Sequence, residues 1–243
     1  MMARMSRYYC HEHPDVLTLE TTIVDARPGA VVLAESPFHP GGGGQIADRG
    51  TLQTSDAELR VIGFETIDGR LWHRLSEPTV ELEGVARVAV DAAFRALQTE
   101  LHTGAHVLNA LVYRDFNGAL LTGAQLGDDG TARCDFDLPD VDNDRLRALD
   151  GALNDVIRQD LPLRYTWVPR AEAESSHGTL RSRSVAPPPT ADGMIRIVEI
   201  VGLDRQACGG THLASTGASR PLRILKIDNK GRHNRRVKFG LQT

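Results

Sequence analysis

The stretch "DAAFRALQTELHTGAHVLNALV", residues 91–112, marks the point at which the chain changes from predicted strands to a predicted helix. Asp91 is in position to cap the helix, and apolar residues then recur at spacings of three and four: Phe94, Leu97, Leu101, Ala105, Leu108 and Val112. This spacing is typical of an amphipathic helix with one buried face. It predicts that an N-terminal domain of residues 1–88 is followed by a second domain of residues 89–243.

The residues around this helix predict an α+β chain. Before it, short runs rich in β-branched residues alternate with turn residues: "VLTLETTIV", "AVVLAES", "ELRVIGF", "RLWHRL" and "VARVAVD". After it come two strands, "ALLTGAQLG" and "TARCDFDL", and a second helix through Leu146, Leu149, Leu153 and Ile157 that stops before Pro162. A long surface loop is expected over residues 174–193, followed by three strands, "MIRIVEIVG", "LRILKID" and "NRRVKFGL".

Composition narrows the classes of protein to consider. The chain has 243 residues, 41% of them hydrophobic, and a formal net charge of −4, so it is not a polycation that coats nucleic acid indiscriminately. Three cysteines are too few and too scattered for a disulfide framework, which favours a reducing compartment. Without a run of about 18 apolar residues, a membrane span is not expected. These features predict a cytoplasmic protein.

Two pairs of residues have the spacing of metal ligands. His102 and His106 stand four apart on the predicted helix and therefore share one edge of it. In "QACGGTHLAS", Cys208 and His212 have the same spacing across two glycines, which permit a tight turn. Three imidazoles and one thiolate suit Zn²⁺ better than Mg²⁺ or Ca²⁺.

The type of zinc site stays open at this point. The two pairs lie too far apart for a zinc finger, and Thr103 occupies the position of the general base in the H-E-x-x-H motif of metallopeptidases. A closed set of four ligands is typical of structural zinc, whereas catalytic zinc usually keeps one position open.

The motifs resemble those of a known family. "HTGAH" and "CGGTH", with the flanking "IRIVEIVGLDRQ" and "RILKIDNKGRHNRRV", resemble the editing domain of alanyl-tRNA synthetase and the freestanding alanyl-tRNA editing proteins of the AlaX type. "SPFHPGGGGQIADRG", residues 36–50, resembles the glycine-rich motif of the medium-length members. The resemblance implies an N-terminal β-barrel, a two-layer α/β editing domain, and zinc held by His102, His106, Cys208 and His212. The implied reaction is hydrolysis, in trans, of the ester between a wrong amino acid and the acceptor end of tRNA, by a monomer or homodimer.

The resemblance also implies roles for further residues. Thr103, Asp204 and Gln206 are candidate catalytic residues near the pocket. Substrate contacts are expected from Gly210 and from the loop that contains Gly42, Gly43, Gly44 and Gln45, although the glycine run can also be an ordinary flexible turn. Within that motif, His39 and Gly41 stand where members of the family commonly have Tyr and Glu.

Three positions bear on which amino acid is removed. Ala105 stands where the family commonly has Thr, and Leu121 and Ala124 take positions that tend to be Gln and Ser. The first expectation is Ser- or Gly-tRNA(Ala), because a synthetase pocket for alanine cannot exclude glycine and rejects an added hydroxyl poorly. The more apolar pocket favours, as an alternative, tRNA charged with threonine or a threonine analogue.

The C-terminal segment is locally basic. From Arg220 to Thr243 there are eight Lys or Arg residues against one acid, Asp228. Arg235 and Arg236 are therefore expected to contact acceptor-stem phosphates, unless the segment is simply a solvated strand edge. Two other functions stay possible: a tRNA-binding module with structural zinc, and a hydrolase of some other small ester or amide.

Overall fold

The computed structural model describes residues 7–139, 142–175, 190 and 192–242. The chain divides into two compact units. The first comprises the described residues up to Gly42, Ala47–Ala96, and residues 190 and 192; the second comprises Gly43–Ile46 and the remaining described residues from Leu97 onward. A folding boundary after residue 88 stays a prediction.

The first unit contains a closed antiparallel barrel of six strands, in the order β1-β2-β5-β4-β3-β6. These strands are β1 (Thr18–Arg27), β2 (Ala30–Leu33), β3 (Gly50–Gln53), β4 (Glu58–Ile67), β5 (Arg70–Leu75) and β6 (Val85–Val90). A short helix, α1 (Tyr9–Glu12), precedes them. Alternate apolar side chains, among them Leu52, Val61 and Val88, point inward and fill the barrel.

The long helix α2 (Ala92–Asp115) begins where the sequence predicts. Asp91 Oδ1 accepts a hydrogen bond of 3.0 Å from the backbone N–H of Phe94, which satisfies one of the free donors at the helix start. From Leu97 onward the helix belongs to the second unit. There Leu101, Leu108 and Val112 are fully buried in the largest apolar cluster.

The second unit contains two antiparallel sheets. The larger has the order β12-β13-β8-β7, with β7 (Leu121–Leu126), β8 (Thr131–Asp137), β12 (Leu222–Lys230) and β13 (Asn234–Leu241). The smaller has the order β11-β10-β9, with β9 (Leu163–Pro169), β10 (Met194–Ile200) and β11 (Asp204–Ala207). Three more helices are α3 (Asn143–Arg147), α4 (Leu149–Arg158) and α5 (Arg170–Ser175), and Thr216–Ala218 form a 3₁₀ turn.

The structure confirms the mixed α/β class and the N-terminal barrel, and corrects the predicted elements in places. The second predicted helix is two segments, α3 and α4, with a turn at Ala148. Strands β3, β9 and β11 were not predicted: β3 follows the glycine motif directly, and the run "DRQA" of β11 has no apolar alternation. Of the predicted loop, Glu174 and Ser175 end α5, while residues 176–189 and 191 lie outside the described residues.

Among the described residues, no helix combines the length and apolar character needed to cross a lipid bilayer.

Candidate metal centre

Four side chains of the second unit converge on one buried point. His102 and His106 project from α2 one turn apart, and Cys208 and His212 follow the end of β11. Their ligand atoms all lie within 4.8 Å of one another, and each side chain is almost completely enclosed. The structure therefore brings together the ligand set expected from the sequence.

The distances fit a metal ion. The Nε2 atoms of His102 and His212 each lie 3.4 Å from Cys208 Sγ. In a tetrahedral site with bonds of about 2.0 Å to nitrogen and about 2.3 Å to sulfur, a nitrogen and a sulfur ligand are about 3.5 Å apart. The four residues can thus hold a metal ion with little rearrangement.

Burial and a nearby arginine set the protonation of the ligands. Burial, and then the charge of Arg196, lower the pKa of His106 to about 3, so the imidazole is in the neutral form that binds metals. Burial raises the pKa of the Cys208 thiol, and the N–H of Gly210 and the charge of Arg196 oppose this shift without reversing it. The Gly210 N–H lies 3.3 Å from Cys208 Sγ, where it stabilises a thiolate.

Sequence reasoning did not find Arg196. Its side chain is buried, Nη1 donates to the carbonyl oxygens of Cys208 (3.1 Å) and Gly210 (2.8 Å), and the guanidinium lies 4.4 Å from the centre of the Tyr165 ring. These bonds fix the backbone of the turn that carries the thiol. The signal that could have found it is its position: a single arginine within the apolar run "MIRIVEIVG" indicates a buried charge with an internal partner.

A polar side chain contacts the Nδ1 atom of each histidine. Gln45 Oε1 lies 2.8 Å from Nδ1 of His102, and Thr103 Oγ1 lies 3.5 Å from Nδ1 of His212. For His106, Gln206 Nε2 lies 3.0 Å from Nδ1. A group that accepts from the ring N–H orients a metal-binding imidazole and tunes its basicity, as Gln45 Oε1 and Thr103 Oγ1 can do, whereas Gln206 Nε2 can only donate.

The predicted catalytic residues lie around the cluster and are buried. Gln206 Nε2 donates to Asp204 Oδ2 at 2.5 Å, and Gln206 Oε1 accepts from Asn109 at 3.1 Å. The Thr103 hydroxyl donates to the carbonyl of Thr99 (2.9 Å) and accepts from the N–H of Leu213 (3.1 Å). The protein's own backbone therefore already uses the hydroxyl group of this candidate catalytic residue.

The glycine run has the backbone conformation that its composition indicates. Gly42, Gly43 and Gly44 have φ of 116°, 60° and 92°, in the region that L-residues with side chains rarely adopt. At Gly42 and Gly43 there is open space around the Cα atom, whereas a Cβ at Gly44 would lie 2.6 Å from the carbonyl oxygen of Ala124. Of the three glycines, only Gly44 thus lies against another element of its own unit, strand β7.

The remaining predicted substrate residues differ in accessibility. Leu121 and Ala124, on β7, are half-buried and pack on the edge of the main apolar cluster, while Ala105 lies inside it. A Cβ at Gly210 would lie 2.0 Å from the ring of His102. Gly210 is therefore required for the ring of His102 to fit.

The two arginines expected to contact tRNA have internal contacts. Arg235 faces the core side of β13 with 8% of its surface exposed. Arg236 donates to both carboxylate oxygens of Asp135, at 2.7 and 2.9 Å. The more exposed basic residues of the segment are Arg220, Arg223, Lys226, Lys230, Arg232 and Lys238. Of these, Arg220 donates to the carboxylate of Glu100.

Comparison with known proteins indicates the family to which the chain belongs. Residues 195–238, which include Cys208 and His212, match the family described as the threonyl and alanyl tRNA synthetase second additional domain. The alanyl-tRNA editing protein AlaX-M of Methanosarcina barkeri is 34% identical over 219 residues, which cover 87% of this chain and 88% of that protein. AlaX-M of Saccharolobus solfataricus is 31% identical, with 90% and 92% covered.

Longer proteins match as well. The alanine–tRNA ligase of Korarchaeum cryptofilum is 31% identical over 88% of this chain, but the chain spans only 24% of the length of that ligase. The fold and site thus define a chain with a domain related to tRNA synthetases. The chain belongs to the family of alanyl-tRNA editing proteins AlaX-M.

Proposed function

We propose that this chain is a trans-acting aminoacyl-tRNA deacylase that binds Zn²⁺ and hydrolyses the ester of mischarged tRNA, with Ser- or Gly-tRNA(Ala) as the first candidates. The observation that carries the proposal is the buried cluster of His102, His106, Cys208 and His212 in a chain that is similar to AlaX-M proteins over most of its length. The proposal includes a two-layer α/β editing domain, a cytoplasmic location, and a monomer or homodimer as the active form.

The chemistry of the substrate suits such a site. An aminoacyl ester is already an activated acyl group, and a bound zinc ion supplies a Lewis acid that polarises the ester carbonyl or lowers the pKa of water. A strong carboxylate base, which the H-T-G-A-H sequence lacks, is then unnecessary. His102, His106, Cys208 and His212 would hold the ion. Gln45 and Thr103 orient two of the imidazoles, and Arg196 fixes the turn that presents the thiol.

One observation favours a second candidate function. All four donor atoms lie close enough to fill a tetrahedron, and a filled tetrahedron is typical of structural zinc. A tRNA-binding module that cleaves no ester has the same four ligands. It is distinguished from a deacylase by binding tRNA without releasing amino acid.

The amino acid removed is proposed from the pocket residues. Ala105 is apolar and buried, and Leu121 and Ala124 are the half-buried apolar candidates. Methyl-sized apolar contacts are worth about 1 to 3 kcal/mol in discrimination, so the alternative substrate is tRNA charged with threonine or a threonine analogue.

The test measures zinc content and the release of amino acid from seryl-tRNA(Ala), glycyl-tRNA(Ala) and threonyl-tRNA. We expect about one zinc per chain and, in His106→Ala and Cys208→Ala, a loss of activity of more than about 100-fold, since losing an outer partner alone typically costs about 10- to 100-fold. His233→Ala and Cys134→Ala are the matched controls, because His233 is exposed and Cys134 is buried in β8, outside the cluster. Both controls should keep zinc and activity.

Three results would contradict the proposal in different ways. Retarded tRNA without release of any amino acid would assign the chain to the binding-module alternative. Hydrolysis of small esters or amides without tRNA would favour a different hydrolase. Full activity in metal-free His106→Ala and Cys208→Ala would show that deacylation does not require the metal.

A further inference from the structure

Gln45, at the end of the glycine run, makes its contacts with the metal cluster and not with solvent. The residue is 4% exposed. Oε1 lies 2.8 Å from Nδ1 of His102 and accepts from the backbone N–H of Thr211 at 3.0 Å, while Nε2 donates to Thr211 Oγ1 at 2.9 Å. The oxygen and the nitrogen of the carboxamide are thus each bonded within the protein, so Gln45 is poorly placed for the substrate contact that the resemblance implied.

The backbone on both sides of Gln45 is anchored. The carbonyl oxygen of Gly44 accepts from the N–H of Leu126 at 2.8 Å. On the other side, the N–H of Ile46 donates to Gln98 Oε1 at 3.1 Å, and Gln98 Nε2 donates to the carbonyl of Gly127 at 2.7 Å. These bonds connect the tip of the loop to α2 and to the end of β7, and they aim the side chain of Gln45 at His102.

Two glycines make this approach possible. A Cβ at Gly44 would lie 2.6 Å from the carbonyl oxygen of Ala124, so the loop reaches this depth only because the residue has no side chain. A Cβ at Gly210 would lie 2.0 Å from the His102 ring and 2.8 Å from Gln45 Oε1. The contact between Gln45 and His102 therefore depends on small residues on both sides of it.

We infer that Gln45 is a positioning residue for the metal ligand His102. Because Oε1 already accepts from the N–H of Thr211, it is an acceptor toward His102 also, which requires the proton on Nδ1. The lone pair of the neutral ring is then on Nε2, the atom that lies 3.4 Å from Cys208 Sγ. The loop with the glycine run therefore places a hydrogen-bond acceptor, Gln45 Oε1, beside the metal ligand His102.

This inference rests on the metal site of the proposed function, but it is tested without deacylation. The zinc affinity of the full chain is measured by competition with a chromophoric chelator for wild type, Gln45→Met and Gln45→Glu. Met has a similar length and no acceptor, whereas Glu keeps the acceptor and can also accept from the Thr211 hydroxyl. We expect zinc to bind about 10- to 100-fold more weakly to Gln45→Met and about as tightly as wild type to Gln45→Glu.

Asn154→Leu serves as the control. Asn154 is another internal amide of the second unit, bonded to the backbone N–H and carbonyl of Leu222 and to none of the four ligands. Its loss should reduce stability and leave zinc affinity unchanged. A loss of affinity in Gln45→Met that Asn154→Leu shares would assign the effect to general destabilisation and overturn the inference.

A second measurement does not depend on how the variants fold. In metal-free wild type, two-bond ¹H–¹⁵N correlations of the His102 ring report which nitrogen carries the proton, and we expect Nδ1. A proton on Nε2 would overturn the inference, as would unchanged zinc affinity in a folded Gln45→Met. A wild-type chain that binds no zinc at all would instead overturn the metal site of the proposed function.

Discussion

At the level of single residues, the Thr103 hydroxyl shows how the surroundings of a metal cluster constrain specificity. It donates to one backbone group and accepts from another, and it is 1% exposed. The remaining lone pair of the oxygen faces Nδ1 of His212 at 3.5 Å, so a substrate hydroxyl can bind there only by displacing one of these three contacts. Displacing a backbone group leaves it buried and unpaired, at a cost of about 1 to 3 kcal/mol. We therefore expect half-buried residues such as Leu121 and Ala124, and not Thr103, to determine which amino acid is accepted.

A buried histidine of the barrel predicts how stability depends on pH. Burial lowers the pKa of His73 to about 4, although its hydrogen bonds with the backbone of Val31 and Leu71 oppose the shift. Since the unfolded side chain titrates near 6.5, the unfolded chain binds more protons between these values. The stabilisation is complete above about pH 6.5 and is lost as the pH falls toward 4, by up to about 3 kcal/mol.

Denaturant unfolding at several pH values between 7 and 4 tests this expectation. In His73→Gln the side chain does not titrate but can still hydrogen-bond to Ser36, which lies 2.6 Å from Nε2 of His73. The difference in unfolding free energy between wild type and variant should shrink as the pH falls. A difference that stays constant over this range would show that His73 does not cause the pH dependence.

At the level of elements, α2 lies close to the larger sheet because Gly104 has no side chain. A Cβ there would lie 2.8 Å from Leu222 Cδ1 and 3.2 Å from the Phe239 ring, and both side chains are fully buried. Gly104 stands between His102 and His106, so the helix that carries these two ligands is seated on β12 and β13 at this point. A side chain at position 104 would push the ligand-bearing turn outward.

Two glycine-to-alanine substitutions separate this packing effect from helix propensity. Alanine stabilises an open helical position by up to about 1 kcal/mol, whereas overpacking a core costs about 1 to 3 kcal/mol. Gly151, in α4, has open space around it. We expect Gly151→Ala to raise the melting temperature and Gly104→Ala to lower it, as measured by thermal unfolding. If both variants are stabilised, α2 has room to move away from the sheet.

The same elements show what the sequence could predict. The start of α2 and the pairing of His102 with His106 follow from local patterns, a cap and a spacing of four, and the structure has the cap and brings the two imidazoles together. The contact of Gln45 with His102 joins residues 57 positions apart, and no local pattern encodes it. The run "DRQA" of β11 is a strand only because β10 pairs with it.

At the level of the whole molecule, the chain has a net negative charge, but its C-terminal segment has an excess of basic over acidic residues. Of the two arginines first expected to contact tRNA, Arg235 is buried and Arg236 is bonded to Asp135. Lys230 and Arg232, at the turn between β12 and β13, are exposed. Exposed cations neutralise phosphates at a lower cost than cations that must first give up an internal partner.

The salt dependence of tRNA binding tests whether Lys230 and Arg232, or Arg235 and Arg236, contact the phosphates. Each phosphate contact adds about 0.7 to 0.9 to the slope of log K against log salt concentration. We expect Lys230→Ala with Arg232→Ala to weaken binding and flatten this slope by about 1 to 2, whereas Arg235→Ala with Arg236→Ala should chiefly lower stability. If the slope is unchanged in the first double variant and flatter in the second, the tRNA phosphates are contacted by Arg235 and Arg236 instead.

The separation of the two ligand pairs along the chain has a consequence for how the protein is made. His106 and Cys208 are 102 positions apart. At about 5 to 20 residues per second, a ribosome adds the cysteine about 5 to 20 seconds after the second histidine. Throughout that interval the nascent chain presents two imidazoles and no thiol partner from this site. The four-atom set is thus assembled only after β10 and β11, which precede Cys208 and His212, have also been made.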